Sequence, residues 1–352
     1  MQDQQINILT ERVNKFLSRE SNVSKKINNI EERINKMNNY FTPNKLENIV
    51  DIEQKSAFNN FIRRGIVNDL ITKSLSGKAD EAGVLITPTL HNRIISEMKA
   101  RSPMRQLASI ESISTRALDV IIENGNFTSG WVGEDEERRE TDTSALVKKT
   151  IQAHELYAHP KATQSLIDDS EINIENWLVE RLVDSFTKME NDAFINGDGN
   201  NKPFGLLRNN KIQEIGLKKQ INAKMLLELI NALDEGYLAN ASFLMNRNTL
   251  STIQSLTDDT GRFIWQQSLT DSFKQTIFGI PVVISSHMPD IDDDKLAIAI
   301  GDFKSAYKIV DRMGINLLRD PYTDKPFVRF YAVKRVGGDV VNINAVKFAK
   351  FS

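Results

Sequence analysis

The clearest alternation of apolar and polar positions lies in the first forty residues. With Ile6 at heptad position a, the a positions are Ile6, Val13, Glu20, Ile27, Ile34 and Phe41, and the d positions are Leu9, Phe16, Val23, Ile30 and Met37. All but Glu20 are apolar, and the residues between them are mostly Asn, Lys, Glu, Arg and Ser. An apolar stripe of this period on an otherwise polar helix cannot bury itself and needs a partner. The pattern predicts a coiled coil or helical hairpin about 50 Å long, with Ile6, Leu9, Val13, Phe16, Val23, Ile27, Ile30, Ile34 and Met37 as its core. The alternative is one amphipathic helix folded back on its own domain.

Thr42, Pro43 and Asn44 break that helix, and a second helical stretch runs to Gly65. Residues 74–83 are small, polar and Gly-containing, which reads as an exposed linker open to proteases. From Gly83 onward the pattern changes to alternating strand-like and helical runs, so the fold class is α+β behind a helical leader.

Within this body, Thr89 to Lys99 reads as an amphipathic helix and Ala117 to Ile122 as a strand. Trp131-Val132-Gly133 leads into seven consecutive charged residues, Glu134, Asp135, Glu136, Glu137, Arg138, Arg139 and Glu140. Ser144 to Ala153 and Glu155 to His159 read together as a returning strand, giving a long hairpin. Its charged tip is either a solvated loop or an excursion that contacts a neighbouring subunit. Ile172 to Ile195 is the longest helix predicted, with Asp168, Asp169 and Ser170 placed to cap it. Ala223 to Leu238 and Asn248 to Gln254 read as helices. Ser242 to Met245, Ile280 to Ser285, Leu296 to Gly301, Tyr307 to Asp311 and Val328 to Lys334 read as strands.

Composition narrows the function more than the fold. The 352 residues are 40% apolar and 26% charged, with a net charge of −2, so no global basic field draws the chain to nucleic acid. There is no cysteine, which excludes disulfides and thiolate metal sites. The four histidines fall in no metal-binding spacing, and no cofactor is expected. No apolar run reaches the length of a membrane span, and Met1 to Val13 does not resemble a signal peptide.

Candidate chemistry is thin. Asp168 and Asp169 could serve as paired carboxylates of a hydrolase, but helix capping is the simpler account. The run Asn196 to Pro203 follows a helix and lacks phosphate-loop or calcium-loop spacing, so it reads as a turn. No nucleophile elbow occurs. The expectation is a protein that is not an enzyme.

Ordered motifs then point to a family. Gly83-Val84-Leu85-Ile86-Thr87-Pro88 is followed by Ser102-Pro103-Met104-Arg105-Gln106-Leu107-Ala108, Trp131-Val132-Gly133-Glu134, and Leu166-Ile167-Asp168-Asp169-Ser170 with Trp177-Leu178. Next come Asn196-Gly197-Asp198-Gly199 with Lys202-Pro203-Phe204-Gly205, then Gly279-Ile280-Pro281-Val282-Val283, Met288-Pro289, Gly301-Asp302-Phe303 and Arg335-Val336-Gly337-Gly338. Each is weak alone, but in this order the body from Gly83 to Ser352 resembles the tailed-phage major capsid protein family with the Hong Kong 97-type fold.

The resemblance implies a structural protein that assembles into pentamers and hexamers of an icosahedral virion shell. That shell encloses double-stranded DNA without sequence-specific contact and is built in the host bacterial cytoplasm, with portal and maturation protease as partners. It implies an N-terminal arm near 78–104, an extended loop near 123–153, a spine helix at 172–195 and an axial domain near 222–322, with a peripheral domain formed by the rest. Residues 1–77 match the family's scaffolding segment, with a candidate cleavage region at Leu75, Ser76, Gly77 and Lys78. Some members weld subunits through a lysine on the extended loop. The tip here carries Arg138 and Arg139 but no lysine, which implies a non-covalent shell. An encapsulin-type nanocompartment shares the fold but normally lacks a long N-terminal coiled coil.

Overall fold

The computed structural model describes residues 58–65, 84–85, 88–124, 145–168, 173–217, 221–257 and 275–351. The chain divides into two units, Met1–Phe61 and Ile62–Ser352. In the first, residues 58–61 are helical. The coiled-coil positions Ile6 to Met37, the linker with Leu75 to Lys78, and the charged run Glu134 to Glu140 lie outside the described residues.

The second unit is α+β. Its described strands, in chain order, are β1 (Val84–Leu85), β2 (Ser109–Ile113), β3 (Ala117–Asn124), β4 (Ala145–Gln152), β5 (His154–Ala158), β6 (Lys161–Thr163), β7 (Glu214–Leu217), β8 (Ser242–Met245), β9 (Thr276–Ile277), β10 (Ile280–Ile284), β11 (Leu296–Gly301), β12 (Tyr307–Asp320), β13 (Phe327–Val340) and β14 (Val346–Phe351). They form two larger sheets and one separate hairpin.

The first sheet is built on the antiparallel pair β12–β13, in the order β1-β12-β13-β5, with β2 added to β12 and β6 to β13. Along β13 the even positions Val328, Phe330, Ala332, Lys334 and Val336 are buried and the odd ones more open, the period of a half-covered sheet. The cover is the long helix Ile174–Asn196, which buries Leu178, Leu182, Phe186 and Phe194 at helical spacing. The helix Pro88–Arg101 packs beside it.

The second sheet has the order β7-β14-β11-β8-β10-β9 and mixes parallel and antiparallel pairs. Helices Ala223–Asn231 and Arg247–Gln254 contribute Leu226, Leu229, Leu250 and Ile253 to a core with Phe243, Met245, Ile298 and Phe351. The hairpin pairs β3 with β4, from Ala117 opposite Gln152 to Asn124 opposite Ala145.

Three sequence expectations change. The returning strand does not continue through His159: at Ala153 the chain leaves the hairpin, and β5 pairs with β13 instead. The junction is tight, because a Cβ at Gly337 would stand 2.2 Å from the Gln152 carbonyl oxygen. The helix expected over Ala223 to Leu238 breaks after Asn231 and restarts at Glu235, with Asp234 in extended conformation between the pieces. The long helix is capped by Asn173, whose side chain accepts from the Asn176 N–H at 3.1 Å. Asp168 instead closes a separate short helix, Gln164–Asp168.

Candidate functional site: a buried ion cluster and a projecting hairpin

The motif at Ser102 begins as a helix cap and ends as the centre of the unit. Ser102 caps the short helix Pro103–Leu107, accepting from the Arg105 N–H at 3.2 Å, with Pro103 at the first position, where no N–H is needed. Its hydroxyl also donates to Asn191 Oδ1 at 2.5 Å. This geometry sends Arg105 inward, where it is fully buried.

Arg105 is a two-sided fork. Nε and Nη2 donate to Glu190 of the long helix at 2.7 and 3.0 Å. Nη1 and Nη2 donate to Asp311 of β12 at 2.7 and 2.8 Å. Lys334 of β13 completes the group, with Nζ 2.5 Å from Glu190 Oε1 and 3.6 Å from Asp311 Oδ1. Two cations and two carboxylates neutralise one another away from water. Burial opposes the charge on Arg105, but Glu190 and Asp311 outweigh it and hold the guanidinium protonated beyond its ordinary range. Burial likewise opposes ionisation of Asp311, but Lys334 and Arg105 prevail, leaving its carboxyl well below the usual carboxylate range. With each charge engaged by its neighbours, the cluster fixes the short helix Pro103–Leu107, the long helix and the sheet in one geometry.

A second junction joins motifs far apart in sequence. The turn after the long helix folds so that the Gly205 N–H donates to the Gly197 carbonyl and the Phe204 N–H to the Gly338 carbonyl, both at 2.9 Å. The Tyr307 hydroxyl donates to the Phe204 carbonyl at 2.7 Å. Glycine is required by close approach. A Cβ at Gly197 would lie 2.2 Å from the Pro203 carbonyl oxygen, and one at Gly338 would lie 2.5 Å from the Tyr307 hydroxyl. The Asn196 turn, Tyr307 and the Gly337-Gly338 pair therefore form one structural joint.

The hairpin is rooted at its base and bare farther out. Leu118 and Val120 of β3 and Ile151 of β4 pack with Ile113 and Val310. Lys149 Nζ donates to Asp339 Oδ1 at 2.6 Å and to the Val340 carbonyl at 2.7 Å, pinning β4 to β13. Lys148 pairs with Asp119 across the strands at 2.8 Å. Beyond these, Ile121 is 69%, Leu146 64% and Val147 46% exposed. Leu146 and Val147 are adjacent on one strand and so face opposite sides of the ribbon. Both faces of the described ribbon thus carry exposed apolar side chains.

The candidate carboxylate pair is not assembled into a site by the described residues. Asp168 is exposed and accepts from the Gln164 amide at 2.8 Å, and Asp169 lies outside the described residues. Among the described residues no group of His, Cys, Asp and Glu is arranged to hold a metal ion, and no helix is long and apolar enough to cross a membrane. The ion cluster was not anticipated. Its signal was present: Glu190 and Lys334 are charged residues in phase with the apolar stripes of their own elements.

Comparisons with known proteins agree with this architecture. Residues 82–351 match the model of the phage capsid family. The major capsid protein of Enterobacteria phage HK97 is 24% identical over 248 residues, a match spanning 68% of this chain and 62% of that relative, less than two thirds of its length. Two solved capsids are more alike. The capsid of a native GTA particle computed with C5 symmetry is 39% identical with a TM-score of 0.64, covering 72% of this chain and 91% of that one. The capsid of the empty GTA particle is 35% identical with a TM-score of 0.65, covering 80% and 96%.

Proposed function

We propose, from the premise that the chain belongs to the phage capsid family, that it is a major capsid protein whose copies assemble into the icosahedral shell around a double-stranded DNA genome. The observation that carries this reading is the likeness to two solved capsids at 35–39% identity, each matched over more than nine tenths of its length. The fold supplies what such a role needs: a core locked by Arg105, and a hairpin whose outer residues Ile121, Leu146 and Val147 are exposed among the described residues.

In this reading the Ile174–Asn196 helix is the spine and the β3–β4 hairpin the extended loop. The Glu134 to Glu140 run is the loop's contact with a neighbour, and the axial domain is the second sheet with its helices, which departs from the expected bounds 222–322 because Tyr307–Asp320 pairs in the first sheet whereas Glu214–Leu217 and Val346–Phe351 pair in the second. Residues 1–77 act as a coiled-coil scaffold held together through Ile6 to Met37 and removed by a protease between Leu75 and Gly83. The shell is held without covalent welds, since the loop tip carries no lysine and Lys149 is engaged within its own subunit. Portal and protease are the further partners, and the virion is the final location.

Electron microscopy of the purified full chain tests the main claim. Closed shells are expected, and a chain that stays monomeric at every concentration would refute it. Mass spectrometry of DNA-filled particles tests the scaffold: subunits still beginning at Met1 would remove the cleavage step. Boiled particles on a denaturing gel should run as single subunits rather than as a covalent ladder.

A further inference from the structure

The helical turn over residues 58–64 stops at Gly65, whose φ of 73° is the left-handed conformation that ends helices. A helix end leaves carbonyls without N–H partners. Here β12 supplies the donors. Arg319 donates from Nε to the Ile62 carbonyl at 2.8 Å and from Nη2 to the Arg63 carbonyl at 3.1 Å. Arg63 does the same for another helix end, donating from Nη1 to the Ile167 carbonyl at 2.7 Å, in the last turn of Gln164–Asp168. The Ile62 side chain is fully buried. By sequence these residues lie within the stretch 1–77 read as leader, yet Ile62–Gly65 fall in the second unit, with the body.

A second anchor lies beside the first. β1 pairs Val84 with Leu317 and Leu85 with Asn316, so the chain returns to the same strand that holds Ile62 and Arg63. Residues 66–83, which include the candidate cleavage region Leu75 to Lys78, therefore leave from β12 and come back to it. A cut between Leu75 and Gly83 breaks none of the hydrogen bonds of either anchor. It removes only the tether that keeps the upstream anchor at high local concentration. We infer that Ile62–Gly65 is a lasting piece of the wall, which stays seated on Arg319 and Ile167 as a separate peptide after the chain is cut. The inference rests on the cleavage in the reading above and adds to it: that cut alone does not free the leader, and residues upstream leave only by a second cut before Ile62. A buried isoleucine and charge-assisted bonds from two arginines hold the peptide in place.

The test uses the full chain with a recognition sequence for a site-specific protease inserted between Ser76 and Gly77. After cutting, gel filtration and native mass spectrometry of the unassembled subunit should show the two pieces travelling together. Arg319→Ala and Ile62→Asp in the same chain should each weaken the hold by about tenfold or more, so that the pieces separate on dilution before those of wild type do. Circular dichroism of the uncut variants checks that each folds; where Ile62→Asp does not, Arg319→Ala decides alone. Cut wild-type pieces that part at once would overturn the inference. So would pieces that stay together equally well in Arg319→Ala, since another contact then holds them. In DNA-filled particles, mass spectrometry should find a peptide containing Ile62–Gly65 in equal number with the cut subunit, and cut subunits without that peptide would overturn retention. Subunits still beginning at Met1 would remove the natural cleavage while the nicked chain still decides the contact.

Discussion

The centre of the first sheet and the outer end of the hairpin treat side chains in opposite ways. Under the long helix, four formal charges on Arg105, Glu190, Asp311 and Lys334 are buried. Out on the ribbon, Ile121, Leu146 and Val147 stand in water. Ordinary folding economics would reverse both choices, since buried ions lose hydration and exposed hydrocarbon gains nothing. The inversion makes sense if the first region must hold one geometry and the second must meet something else. A charge cluster accepts one arrangement of its partners, whereas an apolar core tolerates several.

Four substitutions or conditions probe this contrast. Arg105→Ala should have the largest effect, lowering subunit stability by about 3–5 kcal/mol, because Glu190 and Asp311 lose the guanidinium that bridges them and are left to share Lys334 alone. Chemical denaturation of the unassembled subunit measures it, and a loss under 1 kcal/mol would mean the cluster is ornamental. Gly338→Ala should follow at about 1–3 kcal/mol, since the new Cβ collides with Tyr307 and Phe194; pairing it with Tyr307→Phe should recover part of the loss.

Acid should act next. Asp311 is held below its unfolded value, so its contribution is present above about pH 4. That contribution is lost as pH falls through the depressed folded value. Stability measured from pH 5 downward should fall less steeply in Asp311→Asn than in wild type, and equal slopes would show that other groups carry the acid response. The smallest effect on the subunit belongs to the hairpin. Ile121→Asp with Leu146→Asp should change subunit stability by no more than about 0.5 kcal/mol, yet abolish assembly. A variant that still forms shells would remove the hairpin from the interface.

Much of the fold was legible as periodicity. The long helix showed its stripe from Leu178 to Phe194, and the strand Leu296–Gly301 was read at its observed bounds. What failed were junctions set by tertiary contacts. Nothing local in Ala153 says that β4 ends there; the reason is Gly337, which is 184 positions away along the chain and lets the Gln152 carbonyl approach. The cap at Asn173 was missed because Asp168, Asp169 and Ser170 offered equally good chemistry a few residues earlier. The ion cluster was overlooked for a different reason. Glu190 lies four residues from both Phe186 and Phe194, yet a charged residue in a helix is ordinarily read as solvent-facing. Arg105 was seen only as one letter of a motif, with no hint of its two carboxylate partners.

The spacing of the cluster along the chain has a consequence for synthesis. Its bonds link residues 85 and 206 positions apart, and Lys334 joins from 144 positions beyond Glu190. Contacts this distant form late, after the loops between them have closed. A nascent chain that has not yet delivered Lys334 carries the long helix with an acidic residue in its apolar stripe and no ammonium to meet it. The cluster is thus completed last: only once β13 has been translated can Lys334 meet Glu190 and Asp311.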